Sequence, residues 1–350
     1  MHSFSVGILG ATGAVGQTFV RLLADHPWFT IGAVAASERS AGQTYRAATN
    51  WLSGRPMPEA VANLTVQPTE PAALSDCDFV FSGLSSSVAG EIEQAFARAG
   101  LPVISNAKNY RMHDRVPLLI PEVNPDHVGL IDTQDWGDSG GFIVTNPNCS
   151  TVGLVCALRP LVDAFGVETV QVTMLQALSG AGYPGVPSLD ALANVVPYIG
   201  GEEDKLATEP RKLLGTFDGT SVAPATLTVS AQCNRVPVRN GHLGCVSISF
   251  AQPVTAEAVA DALKTYTSPL ADRHLPSQAD PFIQVLEAPD APQPIRHAKS
   301  GKGFTVSVGR IQPCAVHDVK FVVLSHNTVR GAAGGAVLNA ELLADEGYLT

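Results

Sequence analysis

The residues best placed to do chemistry are a cysteine and a histidine. Asn146-Pro147-Asn148-Cys149-Ser150-Thr151 is a sharp polar turn running into an apolar segment, 152–164, that reads as a helix. Asn148 is a good N-cap candidate, which puts Cys149 in the first helical turn. There the helix dipole and the unpaired amides favour a thiolate, and the same amides could hold a developing oxyanion. A cysteine outside such a setting is more often a buried structural thiol, and Cys156 on the same segment reads that way. A nucleophilic thiol needs a base. His242 follows the turn Asn240-Gly241 at the start of an alternating run. Alone it would be an ordinary polar surface residue; the cysteine makes it a candidate.

A second constellation sits near the N-terminus. Gly10-x-x-Gly13-x-x-Gly16 lies between a short apolar run, 5–9, and an amphipathic segment carrying Val15, Phe19, Leu22 and Leu23 on one face. Glycines there allow a tight turn and let a pyrophosphate approach the helix N-terminus, past Thr12, Ala14 and Val15. The spacing departs from the commoner G-x-G-x-x-G, so the strand–turn–helix context carries the reading. After the second apolar run, 29–36, come Ser37, Glu38 and Arg39. A hydroxyl and a guanidinium suit a 2′-phosphate, hence NADP, while Glu38 is a competing signal for NAD.

The elements that must position these residues follow. Runs 5–9, 29–36, 78–82 and 102–105, with a helix over 90–99, form a βαβ series and so a doubly wound parallel sheet. A Gly/Asp/Ser-rich loop at 137–141 precedes a strand at 142–145. From Cys149 the pattern changes to long alternating runs at 167–175, 242–250 and 303–309, as in a mixed, largely antiparallel sheet. The Pro-rich stretch 281–294 reads as a surface loop. The final segment, 327–343, reads as a helix full of small residues, and its glycines imply close packing on a neighbour or ligand. It is expected to fold back on the N-terminal part. The fold class is therefore α/β, with a Rossmann-type doubly wound domain at 1–148 completed by 326–350. An α+β catalytic and dimerisation domain with a mixed sheet is expected at 149–325.

Composition narrows the function. With 350 residues, 45% of them hydrophobic and 15% charged, the chain can bury two ordinary cores. A formal net charge of −10 and no basic run argue against nucleic acid and anionic membranes. No apolar stretch approaches the ~18 residues that span a bilayer, and the N-terminus has no basic region of a signal peptide. A cytoplasmic enzyme with a small-molecule substrate is expected. The six cysteines are scattered, with no CxxC and no metal-ligand spacing, so reduced thiols and no metal are expected.

Several segments together resemble one family. They are 105–112 (SNAKNYRM), 146–151 (NPNCST), 176–185 (QALSGAGYPG), 235–242 (RVPVRNGH) and 325–335 (SHNTVRGAAGG). In order and across nearly the whole chain, they resemble the archaeal and fungal branch of the aspartate-semialdehyde dehydrogenases. The resemblance implies NADPH-dependent reductive dephosphorylation of L-4-aspartyl phosphate to L-aspartate 4-semialdehyde, a step toward lysine, threonine and methionine. It implies Cys149 as nucleophile, His242 as acid/base and Gln176 as the residue orienting the acyl group. Arg235 would clamp the substrate carboxylate, Glu202 and Lys205 would form the substrate and phosphate pair, and Lys108 and Arg111 would line the phosphate site. Gly10, Thr12, Gly13, Ala14, Val15, Ser37, Arg39, Ser85 and Asn327 fall on the cofactor site. A homodimer or homotetramer is implied. One departure is that 292–297 (PQPIRH) lacks the Arg-x-Asp the branch often shows after Pro-Gln-Pro.

Two rival readings share these features. One is a reductase of the same fold acting on an acyl-CoA thioester, like malonyl-CoA reductase, which would need no phosphate. The other is a non-catalytic dinucleotide-binding regulator, against which the presence of both Cys149 and His242 speaks.

Overall fold

The structure, a computed structural model, describes residues 3–137 and 139–349. Met1, His2, Asp138 and Thr350 lie outside the described residues, and with them parts of the expected N-terminal stretch, the 137–141 loop and the end of the last segment.

The N-terminal part runs β1 (Phe4–Leu9), α1 (Ala14–Leu23), β2 (Phe29–Ala36), the one-turn helices α2 (Tyr45–Ala48) and α3 (Glu59–Ala62), and β3 (Gln67–Pro68). It continues through β4 (Phe79–Ser82), α4 (Ser86–Arg98), β5 (Val103–Ser105) and β6 (Ile143–Thr145). All six strands pair in parallel in the order β3-β2-β1-β4-β5-β6. β1, β4, β5 and β6 are buried along nearly their whole length because both faces are covered. Val6, Ile8, Phe79 and Phe81 pack toward Phe19 and Val20 of α1, while Val80, Val103 and Ile143 pack toward Phe96 and Ala97 of α4. α4 starts at Ser86, four residues before the expected helix, because Ser85 rather than Gly90 marks its N-terminus.

The remainder opens with α5 (Cys149–Phe165), followed by β7 (Val167–Gln176), the one-turn α6 (Ser188–Ala191) and α7 (Glu202–Leu213). A two-residue pair, β8 (Thr216–Phe217) and β9 (Val222–Ala223), precedes β10 (Thr228–Arg235) and β11 (His242–Phe250). Next come α8 (Ala256–Thr265), β12 (Ile283–Leu286), the one-turn α9 (Pro294–His297), β13 (Val306–Pro313) and β14 (Val319–Ser325). Their sheet has the order β10-β7-β11-β14-β13-β12. It is mixed: β10 and β12 pair in parallel with their neighbours, the other pairs being antiparallel. Val152, Val155 and Leu158 of α5 pack on its inner face against Val172, Met174 and Val246.

Two expectations are corrected here. The stretch 281–294 is not only loop, since Ile283–Leu286 pairs with β13; four residues containing Gln284 are too short to show a period. The final segment is not one helix. A π-helical turn, Val329–Ala333, breaks at Ala332 before α10 (Gly334–Asp345) begins. Residues 334–344 of α10 are all buried, and its apolar side chains join the core of the first sheet beside α1. A helix apolar all round belongs in an interior. Leu270 and Leu275, after α8, enter that core as well. Among the described residues no helix is long and apolar enough to cross a membrane.

Candidate active site

Cys149 is the first residue of α5, and the Asn148 side chain caps the helix by accepting from the Ser150 N–H at 2.9 Å. His242 is the first residue of β11, whose antiparallel register sets Leu243 opposite Leu175 and so brings the histidine beside the end of β7. The result is a Cys149 Sγ to His242 Nε2 distance of 3.2 Å. The Ala177 N–H donates to His242 Nδ1 at 3.0 Å, which leaves the neutral ring's proton on Nε2, facing the sulfur. The turn before the histidine is braced by Asn327, which accepts from the Gly241 N–H at 2.9 Å and donates to Ser179 Oγ at 2.8 Å. The Asn327 amide is thus taken up within the protein. The glycine-rich final segment closes on the nucleophile: a Cβ on Gly331 would stand 2.8 Å from Cys149 Cβ.

The electrostatics differ from the expectation of a ready thiolate. Burial, reinforced by Glu202, pushes the Cys149 thiol up to about 12, against the opposing pull of Arg111, Lys205 and Arg235. Burial and the Arg235 charge push His242 down to about 3. The helix dipole is outweighed, and the resting pair is a thiol beside a neutral imidazole. Alkylation of Cys149 in the ligand-free protein should therefore rise by about tenfold per pH unit from pH 7 to 9, following the thiolate fraction. Iodoacetamide labelling read by mass spectrometry checks this; a plateau below pH 8 would show a preformed thiolate.

The remaining side chains of the cluster come from three strands or loops and one helix. Gln176 ends β7 and Arg235 ends β10, paired in register. Gln176 Nε2 donates to Glu202 Oε2 at 3.0 Å, and Arg235 Nη1 donates to the Ala177 carbonyl at 2.7 Å. Glu202 opens α7 and also accepts from Asn148 Nδ2 at 3.0 Å and Lys205 Nζ at 2.6 Å. Burial works against its ionisation, but Lys205, Gln176 and Asn148 outweigh that and hold its carboxyl below the usual range. Arg111 is buried; its Nη1 meets Glu209 Oε1 at 3.0 Å, its Nη2 donates to the Asn106 carbonyl at 2.7 Å, and its Nε has no partner. An orphaned buried N–H of this kind fits a ligand oxygen. Lys108, three residues earlier on the same loop, is exposed.

Two residues of the cluster escaped the sequence reading. Glu209 accepts from the Asn148 backbone N–H at 2.7 Å as well as from Arg111. Lys212 donates to the carbonyls of Arg111, His113 and Val116 at 2.9, 2.7 and 2.7 Å. The signal was present in the sequence, because positions 202, 205, 209 and 212 recur on one face of a helix.

The glycine loop leads from β1 to α1 as its residues require. Gly10 has φ +72°, and a Cβ on Gly16 would stand 2.3 Å from the Gly10 carbonyl oxygen. No side chain caps α1, whose N-cap is the exposed Gly13, flanked by Thr12, Ala14 and Val15. Gly10 also packs on the Gly83 carbonyl, so the loops after β1 and β4 meet where the strand order reverses, with exposed Ser85 beyond. That is where open α/β sheets bind ligands. Ser37, Glu38 and Arg39 follow β2, all exposed. A helix start left open to an anion and a free hydroxyl and guanidinium fit a dinucleotide with a 2′-phosphate.

A doubly wound nucleotide-binding sheet whose neighbour sets a half-buried cysteine against a buried histidine defines a cysteine-dependent oxidoreductase that uses a dinucleotide. Residues 5–131 match the family described as semialdehyde dehydrogenase, NAD binding domain, and residues 158–330 match semialdehyde dehydrogenase, dimerisation domain. The chain is 48% identical to the aspartate-semialdehyde dehydrogenase of Archaeoglobus fulgidus over 98% of both chains. A crystal structure of the Candida albicans enzyme with NADP superposes with a TM-score of 0.91 at 45% identity, covering 99% of each chain. Aspartate-semialdehyde dehydrogenase II of Vibrio cholerae, complexed with ASA, does so at 0.77 and 30% identity, over 98% of this chain and 99% of that one. The chain belongs to the aspartate-semialdehyde dehydrogenase family.

Proposed function

We propose that this chain catalyses the reversible, NADPH-dependent reductive dephosphorylation of L-4-aspartyl phosphate to L-aspartate 4-semialdehyde, through a thioester on Cys149. The observation that carries it is the Cys149–His242 contact at 3.2 Å inside a ring of cations able to bind two separate anionic groups. Cys149 Sγ attacks the acyl carbon, the acyl–oxygen bond breaks, and phosphate leaves carrying the proton that the thiol gives up. Gln176, tied to Glu202, orients the acyl group. Arg235 takes the α-carboxylate, where its planar fork can meet both oxygens. Lys205 with Lys108 and Arg111 takes the phosphate. His242 presents Nε2–H to the sulfur and to the oxygen of the tetrahedral adduct, and moves the proton consumed when the thioester is reduced. Bound NADPH supplies the hydride. Gly10, Thr12, Gly13, Ala14 and Val15 would hold its pyrophosphate end, Ser37 and Arg39 its 2′-phosphate, and Ser85 and the Asn327 segment the side toward Cys149.

The same reading includes a homodimer or homotetramer built through the second sheet, supported by the match to a dimerisation domain and by exposed Gln171, Gln232 and Cys245 on one face. It divides the chain at Asn148/Cys149, with 326–350 returning to the first domain, and places the protein in the cytoplasm, consistent with six unpaired cysteines.

The test is NADPH formation from NADP⁺ and the semialdehyde, with and without phosphate. Turnover should require phosphate. Arg235→Ala should raise KM for the semialdehyde and lower kcat, since misplacing the acyl carbon spoils attack. Lys205→Ala should chiefly raise KM for phosphate. Phosphate-independent turnover, or reduction of malonyl-CoA in preference to aspartyl phosphate, would overturn the assignment.

A further inference from the structure

We propose that Glu209 is a positioning residue for the phosphate half of the reaction, locking the Arg111 guanidinium to the start of the Cys149 helix. The inference rests on the assignment of Arg111 to phosphate made above. One buried carboxylate serves two catalytic elements. Its Oε1 accepts from Arg111 Nη1 at 3.0 Å, and its Oε2 accepts from the backbone N–H of Asn148 at 2.7 Å. The Asn148 peptide immediately precedes the nucleophile, and the Asn148 side chain is already committed to Ser150 and Glu202. Glu209 therefore sets the distance between the cation that would receive the leaving phosphate and the sulfur that displaces it.

The surrounding bonds leave Arg111 one orientation. Nη2 is held by the Asn106 carbonyl, Nη1 by Glu209, and the unpartnered Nε is left as the buried donor. One turn on, Lys212 fixes the backbone of the same loop through the Arg111, His113 and Val116 carbonyls. Helix α7 thus fixes both the side chain and the main chain of the loop, while Glu202 at its start fixes Gln176 and Asn148. Stability alone is a poor reason for this pair. Arg111 and Glu209 are both nearly solvent-free, and an apolar pair commonly serves a core as well as a desolvated ion pair does. The carboxylate is also specific. Glutamine offers one acceptor and one donor, so it would turn an N–H toward either Arg111 or Asn148. Aspartate keeps the charge but is a methylene too short to reach both.

The experiment compares Glu209→Gln, Glu209→Asp, Arg111→Ala and the double variant Arg111→Ala/Glu209→Gln in the oxidative assay, with inorganic phosphate and semialdehyde varied separately. Both Glu209 variants should raise KM for phosphate by about tenfold, with KM for the semialdehyde within about twofold of wild type. The double variant should be no worse for phosphate than Arg111→Ala, because Glu209 acts through Arg111. Should Glu209→Gln not fold, Glu209→Asp, which keeps the charge but cannot span Arg111 and Asn148 together, carries the test. Unchanged phosphate KM with a lowered melting temperature, or additive losses in the double variant, would make Glu209 a fold residue only. An unchanged phosphate KM in Arg111→Ala would instead overturn the assignment of Arg111, whatever Glu209 does.

Discussion

Cys149→Ala is expected to abolish turnover, a loss of roughly 10⁴-fold or more, with the fold and cofactor binding intact. The thioester route has no substitute for the sulfur. Cys156, the other cysteine of α5, lies on the buried side beside the Arg330 guanidinium, a 3.4 Å contact, and cannot reach the cluster of Arg235 and His242. The alanine variant keeps the Cβ that packs on Gly331 and loses one partner of His242, so little of the packing changes. Steady-state assay, calorimetric titration with NADP and a thermal melt check the three parts of this expectation. Substantial activity in the alanine variant would remove Cys149 from the reaction.

His242→Asn is expected to lower kcat by roughly 10²–10⁴, with a smaller effect on KM. Asparagine is the informative choice because of the hydrogen bond on the far side of the ring. Its Oδ1 can stand where Nδ1 accepts from the Ala177 N–H, while nothing reaches the position of Nε2 beside the sulfur. An alanine would also strand the buried Ala177 N–H, at a cost of about 1–3 kcal/mol, and confuse lost catalysis with lost stability. The comparison is of kcat across pH together with the melting temperature. Near-full kcat over the whole range would make His242 a structural residue that supports the end of β7.

Much of this protein was legible along the chain. The glycine loop between β1 and α1, the apolar strands of the first sheet and the Asn148 cap that places Cys149 at a helix start are local features. They depend on steric freedom, hydrogen bonding within a few residues and burial on two faces, all of which neighbouring residues dictate. Strands β10 and β14 were missed, although Arg235 ends one of them. The signal of β10 is in the sequence, since Val229, Ala231 and Cys233 alternate with the polar Thr228, Ser230, Gln232 and Asn234, but these small side chains make a faint pattern and it is the parallel pairing with β7 that fixes the strand. Only the tertiary structure decided the charge state of the reacting pair. From the sequence, a cysteine in a first helical turn reads as a thiolate. In the fold, burial and Glu202, 53 positions away along the chain, keep it a thiol. The tautomer of His242 is likewise set by a backbone N–H, that of Ala177, 65 positions away in sequence. Charges and hydrogen bonds act through space over a few ångströms, and which groups come that close is fixed by sheet register and helix packing, not by spacing along the chain.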